Sequence, residues 1–393
     1  VNLCTHISFA FVVMEGNKLK PHEWNEHELY KRLIALKQKK SSLKFTLAVG
    51  GWNFGTEKMT AMLTTQTNRA EFIADTIAYL ETHGFDGFEL DFEFPGSRGS
   101  PPEDKQRFTL LVQELREAFD RRAASTGKRF SLGSAFSCGE PTIAAAYEVD
   151  KLVEYLDYFQ LMAYDLWGAW EDTLGHNAPL YSGGAMDNKL NVAWCSQHYV
   201  DLGTPPSKIL VGLATYGRSF KSTHTNFGDP AEDEGVKQTY TNLGGILSYY
   251  EACSLIKNGA TRYWDDVRKV PYLSKDDYWA GYDDVESLIE KVKFVNSNGY
   301  RGVMIWTLDF DDFANICGEG PYPLIKAINN ALTSNPIPGL VQTTSTSAAA
   351  HSTTKTPAPG APAPEGAGRV VLCYFTSWAQ YRLADNGKAR FFP

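Results

Sequence analysis

No stretch of the chain approaches the ~18 consecutive apolar residues of a membrane span, so no membrane partner is expected. Net charge is −8 and no basic cluster interrupts the acidic balance, which makes nucleic acid and anionic membranes poor partners. Six cysteines (Cys4, Cys138, Cys195, Cys253, Cys317 and Cys373) are scattered without C-x-x-C spacing, so no metal site of the zinc kind is expected. They suit a few disulfides in a secreted, extracellular protein, with free buried thiols as the alternative. No glycine-rich dinucleotide turn follows the first strand, so no cofactor is expected. Neither Met nor a signal peptide opens the chain: Val1 to Phe11 enters a strand almost at once, which reads as a fragment of something longer.

What is present is a large apolar and aromatic stock. Of 393 residues 43% are apolar and 13% aromatic, including 9 Trp and 20 Tyr. That serves either a heavy core or a surface on which sugars stack. Strand patterns at 5–13, 42–50, 84–94, 129–136, 156–164, 208–216 and 300–308 alternate with amphipathic helical patterns at 26–39, 69–83, 103–124, 142–153, 188–202, 285–296 and 322–332. Such alternation predicts a parallel sheet, and seven units fit an α/β fold of the (β/α)8 barrel type one strand short. A doubly wound open sheet is the alternative.

Residues 218–282 break the alternation and read as a small α+β insertion domain after the seventh strand of the barrel, which is formed by 1–217 and 283–332. Residues 333–368 are rich in Ser, Thr, Pro and Ala without a hydrophobic period and read as a linker. At 369–378 a buried-strand pattern resumes. A seven-stranded barrel would leave two costly open edges, so 369–393 is expected to supply the first barrel strand and the loop after it, here or in a following repeat.

The most informative stretch is Gly84-Phe85-Asp86-Gly87-Phe88-Glu89-Leu90-Asp91-Phe92-Glu93-Phe94-Pro95. In a strand Glu89, Asp91 and Glu93 share one face, and Phe88, Leu90 and Phe92 the other. Carboxylates are almost never buried without a reason, so the stretch is either a solvated acidic edge or a column of acids inside a pocket. Residues two apart on a strand are ~6.6–6.8 Å apart, so like charges there cannot all ionise, and one proton is retained near neutrality. A retained proton is what a general acid requires.

Taken with Gly50-Gly51-Trp52-Asn53, Met162-Ala163-Tyr164-Asp165, Tyr216-Gly217-Arg218-Ser219-Phe220 and Met304-Ile305-Trp306, the acidic stretch resembles the D-x-x-D-x-D-x-E strand of the family 18 glycoside hydrolases, the chitinases and chitinase-like lectins. The five motifs stand in the family's order, and the resemblance covers 1–332 and 369–393. In that family Cys-Tyr-Phe-x-x-Trp forms the first barrel strand. Its place at Cys373 to Trp378 suggests a repeat cut out of frame from a multi-domain chitinase. The resemblance implies disulfides between Cys4 and Cys373 and between Cys253 and Cys317, and offers no pairing for Cys138 and Cys195.

The resemblance further implies a substrate-assisted retaining mechanism on chitin or chitooligosaccharides. Glu93 would be the acid and base and Asp91 the stabiliser of the cationic intermediate, with Glu89 beneath and Tyr164 on the acetamido group. Asp165 and Tyr216 would contact the same sugar and Trp306 would be its floor. Trp52, Trp170, Trp24 and Trp378 would extend an aromatic track, with Asn53 and Arg218 as polar contacts. A lone Trp or Tyr is more often core than subsite, so Trp194, Trp264 and Trp279 are read as structural and His176 as a loop residue. Asp309, Asp311 and Asp312 fit no calcium loop and are read as starting a helix.

Two positions depart from the family pattern. Glu89 stands where the middle Asp is usual, one methylene longer in a packed interior, and overpacking costs about 1–3 kcal/mol. Phe92 replaces a Trp on the opposite face. The expectation is therefore an enzyme, weakened if Glu89 impairs the column. The rival is a chitooligosaccharide-binding lectin on the same barrel; a purely structural module would leave the acid column unexplained.

Overall fold

The computed structural model describes residues 2–334 and 368–382. Most of the expected linker and the end of the tail lie outside the described residues.

In chain order the strands are β1 (His6–Glu15), β2 (Lys18–Lys20), β3 (Lys44–Gly50), β4 (Gly87–Asp91), β5 (Ser131–Phe136), β6 (Tyr158–Leu161), β7 (Ile209–Ala214), β8 (Tyr216–Lys221), β9 (Asp233–Glu234), β10 (Ile246–Ser248), β11 (Thr261–Asp265), β12 (Val270–Lys275), β13 (Tyr278–Gly281), β14 (Gly302–Trp306) and β15 (Val370–Thr376). Eight of them pair in parallel in the order β15-β14-β7-β6-β5-β4-β3-β1, and β15 pairs back onto β1. The sheet is a closed (β/α)8 barrel whose first strand comes from the end of the chain. Closure satisfies both edges that a seven-stranded sheet would leave bare. Cys373 on β15 is bonded to Cys4, with Cα atoms 6.1 Å apart.

The strands are apolar because both faces are covered. On β4, Phe88 and Leu90 turn outward into the layer of helices, where Phe88 meets Phe72 at 6.0 Å between ring centres. That helix, Gln66–His83, is capped by the Thr65 side chain at its start and by Gly84 at φ 78 after its end. The left-handed turn that glycine permits sends the chain directly into β4. Asp86 sits at the strand's start, where it receives Phe45 N–H at 2.9 Å and Lys37 Nζ at 2.6 Å. It is a structural anchor at the end of the barrel opposite the acids.

Between β7 and β14 the chain builds an antiparallel sheet in the order β10-β8-β13-β12-β11, with β9 beside β8. Helix Tyr249–Lys257 opens with a reciprocal Ser248–Glu251 cap, and Cys253 on it is bonded to Cys317. Cys138, just past β5, is bonded to Cys195 on helix Val192–Asp201. The predicted helix at 142–153 is two short helices, Glu140–Ala146 and Val149–Leu152. Its break is at Tyr147, whose extended backbone buries the ring against Phe136. Asp311 accepts from Leu324 and Ile325 N–H in the first turn of helix Pro323–Ser334, and Asp312 from Ile316 and Cys317 N–H. His176 is in a loop but fully buried, with Nε2 3.2 Å from Asp265.

Candidate active site

β4 ends at Asp91, earlier than the acidic pattern suggests, so Glu93 lies in the bend beyond the strand rather than on it. Glu89 and Asp91 are buried inside the barrel, while Glu93 keeps part of its surface in the mouth. Burial pushes the Asp91 carboxyl up from 3.8 to about 7. Glu93 is raised well above its ordinary value, by burial first and then by the negative charge of Asp91. Arg98 pulls it the other way. Asp91 Oδ1 is buried with no hydrogen-bond partner among the described residues. A buried acceptor of that kind is costly unless a donor arrives.

Glu89 accepts a hydrogen bond from Gln160 Nε2, and Gln160 Oε1 accepts one from the Tyr374 hydroxyl at 2.7 Å. Tyr374 is on β15, so the tail reaches the acid column as well as closing the barrel. Phe92 packs outward against Phe108, 6.3 Å between ring centres.

Around the mouth stand side chains from five other barrel strands or the turns after them. Tyr164 is buried beside Tyr216, 6.1 Å between rings, and its hydroxyl reaches Met304 Sδ at 3.4 Å. Burial pushes both phenols up, so both stay protonated donors. Asp165 has a left-handed backbone, φ 54, and its Oδ1 accepts Arg218 Nε at 2.7 Å. The Arg218 guanidinium also faces the exposed ring of Trp170 at 5.1 Å. Half-buried Trp306 closes the end of β14, flanked by Phe11 at 5.8 Å and Tyr374 at 5.2 Å. Phe11 in turn stacks on Trp378 at 5.9 Å.

Trp52 and Asn53 are exposed on the turn after β3. The Arg98 guanidinium covers the Trp52 ring at 3.3 Å and donates to the Glu93 carbonyl at 2.9 Å. Trp24, 86% exposed, stands on the outer rim. Its segment is tied to the turn of Trp378 through Asn25–Gln380 and Glu23–Tyr381 hydrogen bonds. Trp279 is wholly buried.

Sequence reasoning missed Phe11, Arg98, Gly133, Gln160, Asn177 and Tyr374. Only Arg98 carried a local signal, as a cation in a Gly-rich turn five residues past Glu93. A cavity of about 700 Å³ lined by Tyr249, Ile256, Arg262, Val285 and Ile289 lies apart from these groups, between helices Tyr249–Lys257 and Val285–Ser297. No acid of the column lines it.

The arrangement can donate a proton from Glu93, hold a positive charge over Asp91 and stack a flat ring on Trp306. Comparison with known proteins agrees in fold and sequence. Chitotriosidase-1 of Mus musculus is 44% identical over 341 residues, 84% of this chain and 72% of the relative. The oviduct-specific glycoprotein of Ovis aries is 42% identical over 84% of this chain, which spans only 62% of that relative. Among solved structures, an immunomodulatory active chitinase from Trichuris suis superposes with TM-score 0.81 at 37% identity, over 84% of this chain and 92% of that one. Human YKL-39, described as a pseudo-chitinase with retained chitooligosaccharide binding, superposes with TM-score 0.81 at 36% identity over the same shares. The pattern of the family described as Glycosyl hydrolases family 18 matches residues 1–311, and the chain belongs to that family.

Proposed function

We propose that this chain hydrolyses β-1,4-linked N-acetylglucosamine polymers with retention of configuration and substrate assistance. The observation that carries the reading is the pairing of a proton-holding Glu93 with the unpartnered, buried Asp91 Oδ1. An ordinary two-carboxylate glycosidase has no use for an empty acceptor beneath the sugar. A 2-acetamido group supplies the donor: its N–H reaches Asp91, which aims the acetamido oxygen at the anomeric carbon. As that C–O bond forms, the glycosidic C–O bond breaks and Glu93 passes its proton to the departing oxygen. The cyclic oxazolinium carries the positive charge, offset by Asp91. Water then attacks the anomeric carbon, Glu93 takes its proton, and the acetamido oxygen leaves. In this reading Tyr164 and Tyr216 donate hydrogen bonds to the sugar, and Trp306 is its apolar floor.

A catalytically silent chitooligosaccharide lectin is the second reading, favoured by the likeness to YKL-39. Three disulfides suit an oxidising, extracellular compartment. The discriminating experiment is hydrolysis of a fluorogenic chitotriose-type substrate by wild type and Glu93→Gln. Loss of about 10²–10⁴-fold in the variant is expected for a general acid–base group. Equal inertness of the two proteins with retained oligosaccharide binding would establish the lectin reading instead.

A further inference from the structure

The extra methylene of Glu89 has a place prepared for it. Glu89 lies opposite Gly133 in the β4–β5 register, and Gln160 opposite Ala135 on the next pair. A Cβ added to Gly133 would collide with Glu89 Oε2 and stand 2.8 Å from Gln160 Nε2. The backbone at Gly133 is not left-handed, so the glycine answers no demand of the main chain. What it provides is room. Into that room the longer side chain carries its carboxylate toward β5 and β6, where the Gln160 amide donates to it. The Tyr374 hydroxyl donates to the other end of the same amide and fixes which way it points. All four side chains or their sites are inside the barrel and buried.

We infer that Gly133 and Gln160 are positioning residues that seat the Glu89 carboxylate, and through it hold Asp91, two residues on along the same face, in register for catalysis. Glu89 is then the residue this interior requires, and its replacement by aspartate is a loss. An aspartate would withdraw the carboxylate by one C–C bond, about 1.5 Å, leaving the Gln160 amide without its acceptor and a void over Gly133. A buried donor left unpaired and a misplaced neighbour both act on the chemical step rather than on sugar stacking, which occurs on Trp306 and the rim.

The inference rests on the glycosidase reading, and a four-protein cycle separates the two: wild type, Glu89→Asp, Gly133→Ala and the double variant, assayed for kcat, KM and Tm. Glu89→Asp and Gly133→Ala are each expected to lower kcat about ten- to a hundredfold with KM within about twofold. The double variant should recover activity relative to Gly133→Ala, because the shorter acid no longer meets the new methyl. Gln160→Met, close to isosteric, should mimic Glu89→Asp if Gly133→Ala fails to fold. Unchanged or higher kcat in Glu89→Asp overturns the inference, as do additive effects in the double variant. If wild type is itself inert, the glycosidase reading falls. The seat is then decided by Tm: non-additive changes support it and additive changes overturn it.

Discussion

Two groups of acids in this molecule receive opposite treatment. In the barrel, burial raises both Asp91 and Glu93, the charge of Asp91 raises Glu93 further, and the guanidinium of Arg98 at the mouth lowers it. In the packing between the 165–187 loop and the antiparallel sheet, Asp187 and Asp265 share a single guanidinium: Arg268 Nε is 2.6 Å from one and Nη1 2.9 Å from the other. Burial pushes Asp265 up, but hydrogen bonds from His176 and from the Arg268 backbone and side chain outweigh it and leave the carboxyl below the usual range. Asp91 and Glu93 are pushed toward their protonated forms, whereas Asp265 is held in its charged form. Burial is common to both groups, so it is the partners that decide whether an acid stabilises the fold or stays ready for chemistry.

The hardest way to break the contrast is to take the cation from the outer pair. Arg268→Met leaves Asp187, itself buried and otherwise bonded only to loop groups such as Gly183 N–H, without its counter-charge. Removing one partner from such a pair costs about 3–5 kcal/mol. A Tm fall of several degrees is expected by calorimetry. Glu93→Gln, which replaces a carboxyl that burial and Asp91 push toward its neutral form by an amide of the same shape, should leave Tm level or raise it while abolishing hydrolysis. A large Tm loss in Glu93→Gln would erase the distinction between the two groups.

A smaller effect, of opposite sign in the two regions, is expected with pH. Asp91 is raised from 3.8 to about 7 in the folded protein. Its contribution to stability is therefore complete below about pH 4 and is lost as pH rises through 7. Asp265 is depressed, so its contribution is present above about pH 4 and lost as pH falls below it. Asp91→Asn should flatten the decline in Tm between pH 4 and 7, and Asp265→Asn should flatten the decline on the acid side. Identical Tm–pH curves for wild type and Asp91→Asn would sink the assignment of a retained proton to the column.

These differences also explain what could be read from sequence. Seven strands were legible because a parallel barrel buries both faces of each strand, which leaves continuous apolar runs, and the eighth, in the tail, because seven strands would leave two costly open edges and a buried-strand pattern resumes at 369–378. The acids were legible because Glu89 and Asp91 interrupt such a run at period two. Their partners were not. Gln160 stands 71 residues from Glu89 and Tyr374 a further 214 along, joined only through the barrel interior. Gly133 reads as an ordinary strand glycine until the carboxylate above it is seen. Asn177, which receives the Asp165 N–H and donates to the Tyr216 carbonyl, bridges the ends of two strands from a loop without periodicity. Strand limits were blurred for a related reason: Phe85 and Asp86 look like β4 but serve the helix end and the β3 anchor.

The finest test of the comparison is at Arg98, where the barrel acids come nearest to having a cation of their own. Its guanidinium is exposed, lies flat on Trp52 and donates to the Glu93 carbonyl. Glu93 must hold its proton to act as an acid, so kcat/KM falls as pH rises through its pKa. Arg98 lowers that pKa, hence Arg98→Met should move the alkaline limb to higher pH. Solvent and salt screen an exposed charge, with a Debye length of ~10 Å at 0.1 M, so the shift should be less than about one unit. Raising ionic strength should move the wild-type limb in the same direction and leave the variant nearly unmoved. A limb that moves downward in the variant, or a salt response equal in both proteins, would mean that Arg98 acts on Trp52 alone and that the column's proton is held without regard to any cation.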